Sequence, residues 1–268
     1  MILGIDFGAT TTDAVLFKGR KILRKASSGK TLGSAKALES FLKQKGFASK
    51  EIRHLAVTGG KSSFFKGRVL GLKPVHVGEI DAIGFGGAFL AGQKRCLVVS
   101  MGTGTCIVSF EKGKARHVAG TSLGGGTILG LSQRLFGECN PEKLGKMASK
   151  GSLKGIDLSV EEIVGGNIGI IPGKASASNF AKIGRASKAD LASAVQNTVA
   201  ESNAIIAALA ARSSRQKKLV FVGKTVAFPA VKASIKRVLG YYGFAPIFPK
   251  AGTLATAAGA ACFTAGKR

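Results

Sequence analysis

A chain of 268 residues, 45% of them hydrophobic, has room for one large domain or two of ordinary size, and its composition excludes an intrinsically disordered protein. Its 40 Lys and Arg against 14 Asp and Glu leave a formal charge of +26, which draws anions to the surface. The basic residues are scattered over turns and helix ends, Trp is absent and Tyr numbers two, so base-stacking platforms are poorly supplied and specific nucleic-acid binding is not expected.

In chain order, residues 2–7, 12–18 and 21–27 read as strands joined by turns at 8–10 and 18–20. Leu38, Phe41 and Leu42 share one face of a helix over 34–45 that Gly46 ends. His54–Thr58 is a short buried strand closed by Gly59 and Gly60, a second follows at 74–77, and 80–91 reads as a helix. The order then starts again, with strands at 97–101, 106–111 and 115–119, and a helix from Gly126 that carries Leu129, Leu131 and Leu135. Pro141 suits the first turn of a helix over 141–150. Residues 151–186 are rich in Gly and Ser, so an insertion into the repeated plan is expected within 141–186. A long Ala-rich helix over 188–212 follows, then a buried strand at Leu219–Val222 ending in Gly223, a helix near 230–239, a strand at 245–248 and a helix over 253–264. Each half reads βββαβαβα, which predicts an α/β protein with mixed sheets and two domains, 1–93 and 94–268.

The four cysteines, Cys96, Cys106, Cys139 and Cys262, have neither CxxC spacing nor a paired His and read as small apolar residues, so zinc is not expected. The chain begins on an apolar strand without a charged leader, and no run reads as membrane-spanning; a soluble cytoplasmic protein is the expectation.

The two halves share more than an element order. With Gly8 set on Gly102, Thr11 falls on Thr105, and Lys18 and Gly19 fall on Lys112 and Gly113. Each copy is a strand, a Gly/Thr turn and a second strand, so two like domains would face each other with phosphate-sized turns. The first turn offers the N–H groups and hydroxyls of Gly8, Ala9 and Thr10 to a phosphate. Asp6, at the strand end, is placed to hold Mg²⁺ directly or through water, since Mg²⁺ favours one or two carboxylates plus phosphate oxygens. The second copy, Gly102, Thr103 and Gly104, has Ser100 in place of that carboxylate, so the clamp is asymmetric. No GxxxxGK[ST] loop exists in the chain. Gly124, Gly125 and Gly126 precede a helix, where close backbone approach and a helix N-terminus favour an anion or a nucleotide's polar edge. Glu79, where a buried strand passes into a helix, reads either as a general base toward a hydroxyl or as a residue that caps the helix or favours its dipole.

Together these segments resemble the acetate and sugar kinase, actin and heat-shock chaperone superfamily, and within it the type II (eukaryotic-like) pantothenate kinases. The resemblance covers most of the chain. It rests on residues 117–131 as the glycine-rich segment and, in family order, on residues 57–60, 77–82, 163–169, 178–182 and 221–223. It implies duplicated α/β domains of the actin-like ATPase, ribonuclease H-like type with ATP in the cleft between them. The implied reaction is ATP- and Mg²⁺-dependent phosphorylation of pantothenate, the first step toward coenzyme A, by a homodimer. Glu79 would be the base. Asp6, Phe7, Gly8, Ala9, Thr10, Thr11, Thr12, Asp13, Gly102, Thr103, Gly104, Gly125, Gly126, Thr127, Ile128, Leu129, Gly223 and Lys224 would bind ATP, with Asp6 at the metal. Arg116, His117, Thr121 and Ser122 would meet the acceptor.

Three positions depart from the family pattern. Asp13 stands where the family has Lys, as in hydantoinase or activator-type ATPases; His117 stands where it has a substrate-contacting Arg; and Lys224 stands where a small polar residue is usual. Adjacent strand residues face opposite ways, so Arg116 does not simply replace that Arg. A second reading is therefore another small-molecule kinase of the superfamily, or an activator-type ATPase, although the latter carries a Cys pair for an iron–sulfur cluster and none is visible here. A third is a nucleotide-dependent scaffold acting through its basic surface, against which Asp6 and Glu79 count.

Overall fold

The computed structural model describes residues 1–19, 21–47, 49–65 and 67–266. Arg20, expected in the second turn, lies outside the described residues. β1 (Ile2–Phe7), β2 (Thr12–Lys18) and β3 (Lys21–Ser27) form an antiparallel meander. β1 and β2 are buried on almost every residue because both sheet faces are covered, whereas β3 is an exposed edge on which Lys21, Arg24 and Lys25 oppose further strand pairing. α1 (Ala35–Gln44) begins where Ser34 Oγ accepts the Ala37 N–H, and it buries Leu38 and Leu42 against β1 and β2 residues Leu3, Ile5 and Leu16. β4 (His54–Thr58) lies parallel to β1, and β5 (Pro74–His76) parallel to β4, giving the order β3-β2-β1-β4-β5. Among the described residues, the helix that a strict βββαβαβα plan places between β4 and β5 is absent, and a 3-10 turn at Ser62–Phe64 forms there. Gly59, Gly60, Gly67 and Gly71 break that stretch before a helix can nucleate. α2 (Glu79–Ala91) closes the half and ends at Gly92 in the left-handed region.

β6 (Arg95–Met101), β7 (Thr105–Glu111) and β8 (Lys114–Thr121) repeat the meander. α3 (Gly125–Phe136) and α4 (Pro141–Ala148) follow, the latter capped by the Asn140 side chain. The Gly/Ser-rich segment contributes only short pieces, β9 (Leu158–Ser159), α5 (Val160–Val164) and β10 (Ser176–Ser178). It is tied to α6 (Lys188–Ser213) by buried Asp157, which accepts from Ser176 Oγ at 2.8 Å, Asn179 Nδ2 at 3.1 Å, the Phe180 N–H at 3.1 Å and Asn197 Nδ2 at 3.2 Å. β11 (Leu219–Val222) runs parallel to β6, then come α7 (Pro229–Tyr241), β12 (Pro246–Ile247) and α8 (Ala255–Gly266). The second sheet, β8-β7-β6-β11-β12, has the strand order of the first.

The repeat thus extends beyond the hairpins. β4 runs into Gly59 and β11 into Gly223, at φ +94° and +98°. A Cβ on Gly59 would lie 2.6 Å from the Phe7 carbonyl oxygen, and one on Gly223 2.3 Å from that of Met101, the equivalent residue. In each half a glycine lets the fourth strand pass hard against the hairpin turn.

The helices are exchanged between the halves. α2 packs Ile83 against Val98, Val108 and Phe110 of the second sheet, while α8 returns to the first, with Ala257 and Ala261 against Gly4 of β1. The two helices touch backbone to backbone, since a Cβ on Gly259 would lie 1.7 Å from the Ala82 oxygen and one on Gly86 1.9 Å from that of Ala255. A pair of helices built from Gly and Ala therefore separates the sheets and fixes how the hairpin turns face each other.

Candidate active site

The first turn is built from behind. Phe7 is buried and stacks on Phe65 with ring centroids 4.9 Å apart. Thr12 is fully buried, its hydroxyl accepting the Leu32 N–H at 2.9 Å, and the Thr31 hydroxyl donates to the Gly8 carbonyl at 2.8 Å. These side chains hold the turn rather than face the cleft, while Ala9 and Thr10 are exposed at its tip. Lys61 Nζ reaches the Ala9 carbonyl at 3.2 Å and adds a cation that sequence reasoning missed. The signal was its position directly after Gly59 and Gly60.

Asp6 and Asp13 face each other across β1 and β2. Burial first, then the charges of Asp13 and Glu79, push the Asp6 carboxyl up to about 7, with Lys224 pulling the other way. The pull of Lys224 does not offset burial and the two neighbouring carboxylates. Among the described residues no group of three or more His, Cys, Asp or Glu could hold a metal alone. Asp6 with phosphate oxygens and water is the donor set that suits Mg²⁺, so the residues fit that ion.

The second turn and the triple glycine form one unit. The Gly125 and Gly126 N–H groups donate to the Gly102 and Thr103 carbonyls at 2.8 and 2.9 Å. A Cβ on Gly124 would lie 2.5 Å from the Thr103 oxygen. The glycines are thus required by the neighbouring turn, and two N–H groups expected to meet an anion are already satisfied inside the protein. Ile128 is fully buried in the core beneath them, and Leu129 packs partly against the same core. Thr127 braces the entry to α3, donating to the Ser122 carbonyl at 3.1 Å and accepting from the Gly124 N–H at 3.2 Å. Thr103 stays exposed at the tip.

After Gly223, the Thr225 hydroxyl donates to the Gly102 carbonyl at 2.8 Å. Lys224 instead reaches the other half, donating to Asp13 Oδ1 at 2.9 Å, Ser27 Oγ at 3.1 Å and Thr11 Oγ1. A cavity of about 380 Å³ opens beside it between α4 and the 3-10 turn Thr225–Ala227, lined by Pro141, Gly145, Lys146, Lys224, Ala227 and Phe228. α4 carries no motif, so sequence reasoning did not place it here.

Glu79 is exposed at the first position of α2, and its carboxylate makes no hydrogen bond or ion pair among the described residues. It does not cap the helix, because Gly78 is the N-cap and no side chain caps it. Its charge reaches both Asp6 and Cys106. A bulge between Ile107 and Val108 sets His117 opposite Val108 and Arg116 opposite Ser109. Val108 belongs to the α2-facing core, so His117 lies on the side of Glu79 and Arg116 on the opposite face. Thr121 is spent on Asn203 of α6, to which its hydroxyl donates at 2.7 Å, while Ser122 is exposed.

A family model described as Fumble matches residues 89–242. A type II pantothenate kinase of Bacillus cereus is 28% identical over 236 residues, which cover 84% of this chain and 84% of that one. Among solved structures, the activator of the 2-hydroxyisocaproyl-CoA dehydratase from Clostridium difficile, with bound ADPNP, aligns with a TM-score of 0.69 at 17% identity, over 99% of this chain and 95% of the other. The ROK hexokinase from Thermus thermophilus aligns at 0.60 and 14%, over 100% and 99%. At these identities the two structures speak for the shared fold, the duplicated actin-like α/β architecture, and for nothing finer.

Proposed function

The chain belongs to the Fumble family, and on that premise we propose that it is an ATP-dependent kinase that phosphorylates pantothenate on its hydroxyl, the entry step of coenzyme A synthesis. The observation that carries the reading is Glu79, whose carboxylate has no hydrogen bond or ion pair among the described residues and lies within electrostatic reach of Asp6. The two sheets, one from each of the halves 1–93 and 94–268 and with α2 and α8 exchanged between them, act as the two jaws. The cavity between α4 and Phe228 takes the adenine, and the phosphates run past Lys224 to the turns at 8–11 and 102–104. Asp6 would hold Mg²⁺, which when bound neutralises charge on the phosphates. Glu79 accepts the proton of the acceptor hydroxyl as its oxygen bonds to the terminal phosphorus and ADP leaves; His117, on the same side, orients the acceptor. Phosphoryl transfer asks the protein for little more than this positioning and charge neutralisation. The strong positive charge serves anionic small molecules rather than nucleic acid.

Purified protein supplied with Mg-ATP and pantothenate is expected to yield phosphopantothenate, measured by mass spectrometry, with one ADP released per product. Protein that binds ATP but leaves pantothenate untouched while phosphorylating another hydroxyl compound would refute the assignment of the acceptor.

No helix among the described residues is long and apolar enough to cross a membrane. We place the enzyme in the cytoplasm and propose that it works as a homodimer. Ile163, Val164, Ile168 and Ile170 are each more than half exposed, at 56%, 51%, 54% and 56%, on α5 and the turn beyond it. A clustered apolar surface of this kind is what a partner subunit covers. Sedimentation should show a dimer that the double variant Ile168→Asp, Ile170→Asp converts to a folded monomer. A monomeric wild type rules this out.

A further inference from the structure

Lys224 follows β11 of the second sheet, yet its ammonium lies on the first half, bonded to Asp13, Ser27 and Thr11. Thr11 belongs to the first phosphate turn, and Asp13 sits on β2 just beyond it. The two charged partners are unequally placed: the Asp13 side chain is 6% exposed and that of Lys224 40%. A ligand in the cleft can meet the ammonium but not the carboxylate. On its other side Lys224 lines the cavity assigned to adenine. A nucleotide with its base in that cavity and its terminal phosphate at the 8–11 turn must carry its phosphate chain past Lys224 Nζ.

We propose that Lys224 is a phosphate-binding residue that rests on Asp13 in the nucleotide-free protein and turns to the phosphates when the nucleotide binds. Asp13 is then a positioning residue and not a nucleotide ligand. The proposal rests on the assignment of the cleft as an ATP site. An ammonium suits the exchange, since it is a compact charge with three donors on a flexible stem. It neutralises a buried carboxylate that would otherwise face Asp6 alone across the strand pair.

Calorimetric titration of Mg-ATP and of AMP into the wild type, Lys224→Met, Lys224→Arg and Asp13→Asn proteins tests this. Lys224→Met should weaken Mg-ATP binding about 10–100-fold, the value of a charge-assisted hydrogen bond, and should alter AMP binding far less. Lys224→Arg should restore most of the loss. Asp13→Asn, which releases the ammonium, should bind Mg-ATP at least as tightly as the wild type while melting at lower temperature without nucleotide. Equal Mg-ATP affinity in the wild type and Lys224→Met overturns the proposal alone, whereas a wild type that binds no Mg-ATP overturns it together with the ATP-site assignment. Weakening by Asp13→Asn as large as that by Lys224→Met would make Asp13 a ligand and also overturn it. If Asp13→Asn does not fold, the double variant Asp13→Asn, Lys224→Met replaces it: affinity equal to Lys224→Met supports the proposal, and a further loss refutes it.

Discussion

Replacing Glu79 with Gln is expected to lower kcat for pantothenate phosphorylation by about 10²–10⁴-fold, the usual contribution of a positioned general base, while Mg-ATP affinity stays within about twofold. Gln keeps the size and hydrogen-bonding reach of Glu but cannot take the hydroxyl proton. The fold should not notice the change, because the Glu79 carboxylate makes no hydrogen bond or ion pair among the described residues and does not cap α2. The cost to stability is at most the dipole contribution of a first-turn acid, about 0.3–1 kcal/mol. Glu79 is also one of the charges that raise the Asp6 pKa, so its neutralisation eases the ionisation of Asp6 and leaves the metal position no worse. A residue that held the metal would behave in the opposite way, losing nucleotide affinity with turnover. Steady-state kinetics paired with calorimetry of Mg-ATP separates the two. Undiminished kcat in the Gln variant would show that the hydroxyl needs no base from α2.

The duplication was legible in the sequence where local pattern alone decides it. The Gly8 and Gly102 turns, with apolar strands on either side, announced both hairpins, and Gly223 at the end of a continuous apolar run announced the close of β11. The deeper repeat, Gly59 with Gly223, was hidden because the second half carries α3 to α6 between the equivalent strands. The exchange of α2 and α8 was hidden for a different reason. Both helices are apolar all round, rich in Gly and Ala, so their sequences carry no stripe that tells which sheet each one covers. The site followed the same division. Asp6, Glu79 and the turn residues are candidates that position and residue type alone suggest, whereas the contacts of Lys61 and Thr225 and the cavity beside α4 appear only when chain segments far apart close on each other. At the triple glycine the N–H groups of Gly125 and Gly126 face the 102–104 turn, and that of Gly124 faces the Thr127 hydroxyl, rather than open space.

Asp6→Asn should abolish Mg-ATP-dependent turnover and, at the same time, make the nucleotide-free protein more stable at pH 8. The two effects have one cause. The Asp6 carboxyl has a pKa of about 7 in the folded chain against 3.8 as its ordinary value, so the folded state holds the proton more tightly than the unfolded one. Below pH 4 both states are protonated and Asp6 is neutral to stability. Between pH 4 and 7 the unfolded chain releases its proton first, so folding stability falls as pH rises, and above pH 7 the full penalty of an ionised, buried carboxylate is present. The ceiling on that penalty is about 4 kcal/mol at 1.36 kcal/mol per pKa unit. Thermal melts of the wild type without nucleotide should therefore show a Tm that declines from pH 5 to pH 8, and Asp6→Asn should remove much of that slope. Mg-ATP should raise the Tm of the wild type at pH 8, since a divalent cation offsets the charge of the buried carboxylate, and should raise that of the Asn variant by less, because the cavity and Lys224 are left in place. Ligand stabilisation follows RT ln(1 + [L]/Kd), so the shift in Tm with Mg-ATP concentration reports the affinity directly. An Asn variant that melts below the wild type at pH 8 would mean that Asp6 is compensated within the folded chain and is not waiting for a metal.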